Sequence, residues 1–271
     1  MLEDKELFIF DIEGVVIPTI DDDVHPDKDV IRVLDTLRKN GKKIAFLSNI
    51  SRIPHSRVSE ILINLGIAKS KSEVFTAGRV SAEYIHEKKK NSRVFVISEL
   101  GLIVDLETDK SMKIVFEKPV DFVVIGMKRN IDFDEINFAL DCILDGAELI
   151  SVGHTNYYKG GFLGKNGIFI GDLPICEMLS FASGKSYTKI GKPAPLIFGH
   201  VLSEYMVEPK KAVMIGDKIE TDIKGANEVG ITSIYVEPMS SQKHFLPPKT
   251  KDKKILPSLR MKSLKELLNY I

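Results

Sequence analysis

Apolar and polar positions fall in blocks along this chain, and the period changes from block to block. Leu7-Phe8-Ile9-Phe10 is a short apolar run closed by Gly14, which predicts a buried strand. Val30, Val33, Leu34 and Leu37 then recur at helical spacing, opened by His25-Pro26 and stopped by Asn40-Gly41. Lys43 to Ser48 reads as a second strand, and Val58, Ile61, Leu62 and Leu65 as a second helix ending at Gly66. Strand, helix, strand, helix predicts a parallel sheet wrapped by right-handed crossovers. The middle of the chain repeats the alternation, with strands over 93–98, 112–117, 121–126 and 148–152. Helices are expected through Ile136, Leu140, Ile143 and Leu144 and around Ile175 to Phe181, and Gly160, Gly161, Gly164 and Gly167 between them mark a loop-rich passage. From Ser186 the opening style returns: a short strand to Ile190, a helix with Ile197, Val201 and Tyr205, a strand Ala212 to Asp217, and a last core strand Ser233 to Val236. The Lys/Pro-rich stretch from Gln242 to Pro257 is expected as an exposed loop, and Ser263 as the cap of a closing amphipathic helix.

Composition narrows the function classes. A chain of 271 residues with 44% apolar and 28% charged residues suits one large α/β domain or two. Acids and bases number 38 each, so no global field recruits nucleic acid or an anionic membrane. No apolar run approaches the roughly 18 residues of a membrane span, and Met1-Leu2-Glu3-Asp4-Lys5 lacks the pattern of a signal peptide. A cytoplasmic location is expected. Cys142 and Cys176 lie among apolar residues without neighbours at metal-ligand spacing, and read as buried thiols. The run Asp21-Asp22-Asp23 reads as a solvated loop.

Candidate chemistry gathers at strand ends. Asp11 and Glu13 sit where the first strand gives out, and side chains two apart on an extended chain share a side. Ser48, Lys192 and Asp217 also lie at or just beyond the carboxyl ends of expected parallel strands, the edge where open α/β sheets bind ligands. Asp222 follows five residues after Asp217. Singly these residues read as turn, surface or capping groups. Jointly they make a site of three or four acids, one cation and a hydroxyl. Several carboxylates select a hard cation such as Mg²⁺. A lysine and a hydroxyl can hold phosphoryl oxygens, and an ionised aspartate can take a phosphoryl group without a base to activate it. No Gly-x-Gly-x-x-Gly follows the first strand, which argues against a dinucleotide.

The order Asp11-x-Glu13-Gly14, Ser48-Asn49, Gly191-Lys192-Pro193 and Gly216-Asp217-x4-Asp222 resembles the four motifs of the haloacid dehalogenase (HAD) superfamily. The insert between the second and third resembles the C2-type cap of its NagD-like, 4-nitrophenylphosphatase branch, through Val94 to Ile97 with Gly101, 121–126 and Thr155-Asn156. The resemblance implies a doubly wound parallel-sheet, Rossmann-like core from residues 1–76 plus 186–271, and a second α/β cap domain inserted over 77–185. It implies a Mg²⁺-dependent phosphatase acting on a small phosphorylated metabolite, with Asp11 as nucleophile and metal ligand. Glu13 would carry protons to and from the reacting oxygens and bind metal through its backbone carbonyl. Ser48, Asn49 and Lys192 would hold or shape the phosphate site, and Asp217 and Asp222 the metal. A homodimer through the cap is a possible partner arrangement, with neither nucleic acid nor membrane. Glu13 stands where the family has aspartate, Tyr158 where the branch shows Asp after Thr-Asn, and Lys128 where relatives often carry an acid. These departures leave two alternatives open: a catalytically silent binder of a phosphorylated ligand, and a phosphotransferase using the same aspartate.

Overall fold

The computed structural model describes residues 2–20, 24–162, 165–239 and 255–271. Along the chain run β1 (Leu7–Asp11), α1 (Lys28–Lys39), β2 (Lys43–Ser48), α2 (His55–Asn64), β3 (Val74–Thr76), α3 (Ala77–Lys88), β4 (Arg93–Ile97), α4 (Leu100–Thr108) and β5 (Lys113–Ile114). Next come β6 (Phe122–Ile125), α5 (Phe133–Leu144), β7 (Glu148–Ser151), β8 (Tyr157–Phe162), β9 (Lys165–Ile170) and α6 (Asp172–Ser183). The chain closes with β10 (Tyr187–Lys189), α7 (Pro195–Tyr205), β11 (Ala212–Gly216), α8 (Lys224–Glu228), β12 (Thr232–Val236) and β13 (Leu259–Met261). These elements form two compact units, one of Met1–Ser48, Val58–Phe75 and Phe198–Ile271, the other of Asn49–Arg57 and Thr76–Ile197.

The first unit is built on a six-stranded sheet in the order β13-β12-β11-β1-β2-β3. Every residue of β1 is buried, as a strand flanked on both sides and covered on both faces requires. β1 pairs in parallel with β2 and with β11. The chain therefore winds outward from β1 in one direction and returns to its other side in the opposite one. Strand order reverses at β1, the topological switch point of a doubly wound sheet. α1 shows how local sequence sets one of the covering elements. Its capping residue is Asp27, whose side chain accepts from the backbone N–H of Asp29 (2.7 Å) and Val30 (3.4 Å), and its stripe of Val30, Val33, Leu34 and Leu37 is buried. The helix expected to close the chain is instead a 3₁₀ segment, Leu264–Asn269, and the Ser263 side chain makes no capping bond to it. Leu264 and Leu267, three residues apart, share the buried side of that tighter helix.

The second unit carries a five-stranded sheet, β10-β7-β6-β4-β5, whose neighbouring strands are all parallel. Its core packs Phe95, Ile97, Val123, Ile125 and Leu149 of the sheet against Ile136, Ile143, Cys176 and Leu179 of the helices. Both cysteines are free and buried. Three expectations are corrected here. The strand around Ser186 to Ile190 is not part of the first unit's sheet: Tyr187, Thr188 and Lys189 pair with Leu149, Ile150 and Ser151 of β7, and the Thr188 hydroxyl donates to Glu148 at 2.8 Å. The long strand expected over 112–117 shrinks to the two residues of β5. The glycine-rich passage is an antiparallel ribbon, with Tyr157 opposite Ile170 and Phe162 opposite Lys165. Glycine is a poor strand former, but the directly opposed Tyr158 and Phe169 stack with ring centroids 5.5 Å apart, and such cross-strand pairs stabilise a ladder. Asp21 to Asp23, and the loop expected from Gln242 as far as residue 254, lie outside the described residues.

Candidate active site

The register of three strands builds the site in the first unit. Phe10 stands opposite Ile215 of β11, and Asp11 opposite Leu47 of β2. Ser48 and Asp217 are thus each one step beyond the residues that flank Asp11, at the carboxyl edge and the switch point. Asp11 is 3% exposed, Ser48 4%, Asp217 5% and Asp222 0%. Asp222 reaches the same place because the chain after Asp217 makes a wide π turn, Ile219–Ile223. Such turns are rare and often stand at functional sites. Its Oδ2 accepts the backbone N–H of Lys218 at 3.0 Å, which clamps the turn.

Two glycines leave room for these acids. Gly14 has φ +93°, a conformation that a side chain resists, and a Cβ there would lie 2.3 Å from Oδ2 of Asp217. A Cβ at Gly216 would lie 2.2 Å from Cβ of Asp222. The glycine of Asp-x-Glu-Gly is therefore required by an aspartate that is far off in sequence.

Carboxylate oxygens of Asp11, Asp217 and Asp222 lie within 4.8 Å of one another, and all three residues are buried. Burying three ionised acids together is costly without a cation. Opposite ligands of a six-coordinate Mg²⁺ stand about 4.2 Å apart, twice its ~2.1 Å bond. The observed spacing thus fits a hard divalent ion with little adjustment. One oxygen of Asp11 already accepts the backbone N–H of Ile12 at 2.8 Å, which fixes the carboxylate's rotation.

Lys218 is the residue that sequence reasoning passed over. Its Nζ lies 3.8 Å from Oδ2 of Asp11, with the side chain 41% exposed. Burial lowers the affinity of its amine for a proton, yet the charges of Asp11, Asp217, Asp222 and Glu13 outweigh that and push its pKa above the usual lysine value. Its one signal was position, directly after Asp217, in a chain where a Lys among Glu and Asp is commonplace.

The remaining predicted residues are placed as follows. Glu13 is not one of the three clustered acids. Its Oε1 accepts from the Thr19 hydroxyl (3.0 Å) and the Ile20 backbone N–H (2.9 Å), so the loop after β1 orients this carboxylate. Asn49 and Lys192 belong to the second unit, where they bind each other. The Asn49 amide donates to the Lys192 carbonyl at 2.8 Å and accepts the Lys192 N–H at 2.7 Å. Gly191 admits this fork, since a Cβ there would lie 2.8 Å from Oδ1 of Asn49 and 2.5 Å from the Val152 carbonyl. Lys192 is 2% exposed. Lys128, which stands where relatives often carry an acid, forms an ion pair with Glu135 in the capping box of α5. The Arg129 backbone N–H donates to Glu99 at 3.0 Å.

The fold and this acid cluster define a HAD-type hydrolase, and comparison with known proteins agrees. Residues 8–109 match the haloacid dehalogenase-like hydrolase model, and residues 189–261 match a second, HAD-hydrolase-like model. An acid sugar phosphatase of Staphylococcus epidermidis is 30% identical over 206 residues, covering 75% of this chain and 77% of that one. A dihydroxyacetone phosphatase of Corynebacterium glutamicum is 27% identical, covering 84% and 80%. The solved structure of a p-nitrophenyl phosphatase from Archaeoglobus fulgidus superimposes with a TM-score of 0.85 at 25% identity, covering 98% of this chain and 99% of that one. The chain belongs to the haloacid dehalogenase-like hydrolases, in their NagD-like p-nitrophenylphosphatase branch, and is a HAD-type phosphatase. Among its described residues no helix is long and apolar enough to cross a membrane.

Proposed function

We propose that the protein hydrolyses a small phosphorylated metabolite in two steps through an aspartyl-phosphate, with Mg²⁺ as cofactor. The observation that carries this is the buried convergence of Asp11, Asp217 and Asp222 at the switch point of the sheet. Asp217, Asp222 and Asp11 would hold the ion, together with the Glu13 backbone carbonyl. When bound, it would offset the charge of the phosphoryl group against that of the attacking carboxylate. In the first step an Asp11 oxygen bonds to phosphorus and the ester P–O bond breaks, while Glu13 gives its proton to the leaving oxygen. In the second, Glu13 takes a proton from water, the water oxygen bonds to phosphorus, and the bond to Asp11 breaks to release inorganic phosphate. The hydrogen bonds from Thr19 and Ile20 support this role for Glu13, because they hold a residue one methylene longer than the family's aspartate in a single orientation. The reading gives Ser48 and Lys192 the phosphoryl oxygens. Asn49, whose amide bonds to the Lys192 backbone, shapes the loop that carries that lysine.

Acid sugar phosphatase and dihydroxyacetone phosphatase relatives point to phosphorylated sugars and trioses as the substrate class. The reading includes a cytoplasmic location, in keeping with two free buried cysteines. It also includes self-association through the second unit, where Ile168 and Ile170 of β9 and Phe181 of α6 are exposed apolar residues; a monomeric elution volume would rule the dimer out. Phosphate release from p-nitrophenyl phosphate and a panel of sugar and triose phosphates, with and without Mg²⁺, tests the activity. Asp11→Asn should abolish turnover and leave the circular dichroism spectrum unchanged. Wild-type turnover in that variant would end the proposal.

A further inference from the structure

The acid cluster contains its own cation. Lys218 follows Asp217 directly, and its backbone N–H is bonded to Asp222 at 3.0 Å. The base of the side chain is therefore fixed by one clustered acid while its amine lies 3.8 Å from another, Asp11. Two-fifths of the side chain is exposed. A lysine stem has four rotatable bonds, so the amine can leave for water without moving the backbone. Lys218 thus joins a fixed base, a head 3.8 Å from a buried carboxylate of the cluster, and a partly exposed side chain.

We propose that Lys218 is a tethered counter-ion of this cluster, neutralising part of its charge when no metal is bound and withdrawing when a divalent cation enters. The inference rests on the reading of Asp11, Asp217 and Asp222 as a Mg²⁺ site. It extends that reading by naming one group that offsets the charge of the acids in the metal-free protein and weakens the hold on the ion. A monovalent head competing for the same carboxylates weakens the dication's net binding, and stabilises the metal-free chain against self-repulsion of its acids.

The two effects have opposite signs, which separates this role from a merely structural one. Mg²⁺ titration by calorimetry, with thermal unfolding of the full chain at zero and saturating Mg²⁺, reads both. Lys218→Met should bind Mg²⁺ roughly tenfold more tightly, since a unit charge is removed several ångströms from a dication in a partly screened site. The same variant should unfold at a lower temperature than wild type without metal, and saturating Mg²⁺ should close most of that gap. Lys218→Arg, which keeps the charge, should retain wild-type affinity. Lys218→Gln should repeat the methionine result, and it serves as the measured variant if the methionine form folds poorly. Unchanged or weaker Mg²⁺ affinity on loss of the charge overturns the proposal, as does a stability loss of equal size with and without metal. If wild type itself shows no saturable Mg²⁺ binding, the metal-site reading falls and this inference with it. If wild type binds and the variants do not differ from it, only the role of Lys218 falls.

Discussion

Replacing Gly14 by alanine should damage metal binding and stability by separable amounts. The φ of +93° at Gly14 is strained for any residue with a Cβ, at a cost of about 1–2 kcal/mol. The new methyl group would also stand 2.3 Å from Oδ2 of Asp217, whereas ordinary contacts begin at 3.4 Å, so the carboxylate must retreat by about 1 Å. Gly41 supplies the control: its φ is +70°, but nothing lies within 4 Å of the Cβ it would gain. Gly41→Ala should therefore show only the conformational cost, an apparent melting shift of roughly 2–8 °C for a chain of this size. Gly14→Ala should show at least that shift. In addition, its Mg²⁺ affinity should fall by roughly tenfold, and its turnover of p-nitrophenyl phosphate by roughly a hundredfold, the usual scale for an ångström's misplacement of a reacting group. Thermal unfolding, Mg²⁺ titration and steady-state kinetics on the two variants decide the matter. Should Gly14→Ala lose stability like Gly41→Ala yet keep its metal affinity and turnover, the claim that this glycine exists to admit Asp217 is wrong.

Two further predictions concern single carboxylates. Thr19→Val removes one of the donors that orient Glu13 and should lower kcat roughly three- to tenfold with KM little changed, about 0.7–1.4 kcal/mol on the barrier; an unaltered kcat would detach the Thr19 bond from catalysis. Asp105 of α4 is buried, which pushes its carboxyl up to about 7 against the opposing backbone N–H of His55. Its folded-state pKa lies above the unfolded one, so the folded chain binds the extra proton and wild type loses stability as pH rises from about 4 through 7. Asp105→Asn, which cannot ionise, should be the more stable chain, with an advantage about 1–2 kcal/mol larger at pH 8.5 than at pH 5 in urea unfolding. Parallel pH curves for the two chains would refute the assignment.

Much of the site could be read along the chain because its residues sit where local signals are strong. Asp11, Ser48 and Asp217 each end an apolar strand, and a strand's end is visible in a few residues. Other features left no such trace. The three residues of β10 carry no mark of which sheet they join, and it is the hydrogen-bond ladder with β7 that places them. Glycines at 160, 161 and 167 argued for a loop, yet Tyr158 and Phe169 stack only once the ribbon has paired. Lys128 stood out in the sequence only as a departure from the branch pattern, and it is the fold that supplies Glu135 as its partner.

By itself, the sequence determined the alternation of strands and helices, the parallel sheet that this alternation calls for, and an ordered set of acids at strand ends, since each depends on periodicity and punctuation within a few residues. Only the tertiary structure decided which acids share one small volume. It brought Asp222 to Asp11 through a π turn, turned Glu13 toward Thr19 and Ile20, and set the Lys218 amine beside Asp11. Those outcomes depend on strand register, on a left-handed glycine and on the mutual field of buried charges. All three are set by how side chains meet in the folded chain, which apolar period and residue type along the sequence do not encode.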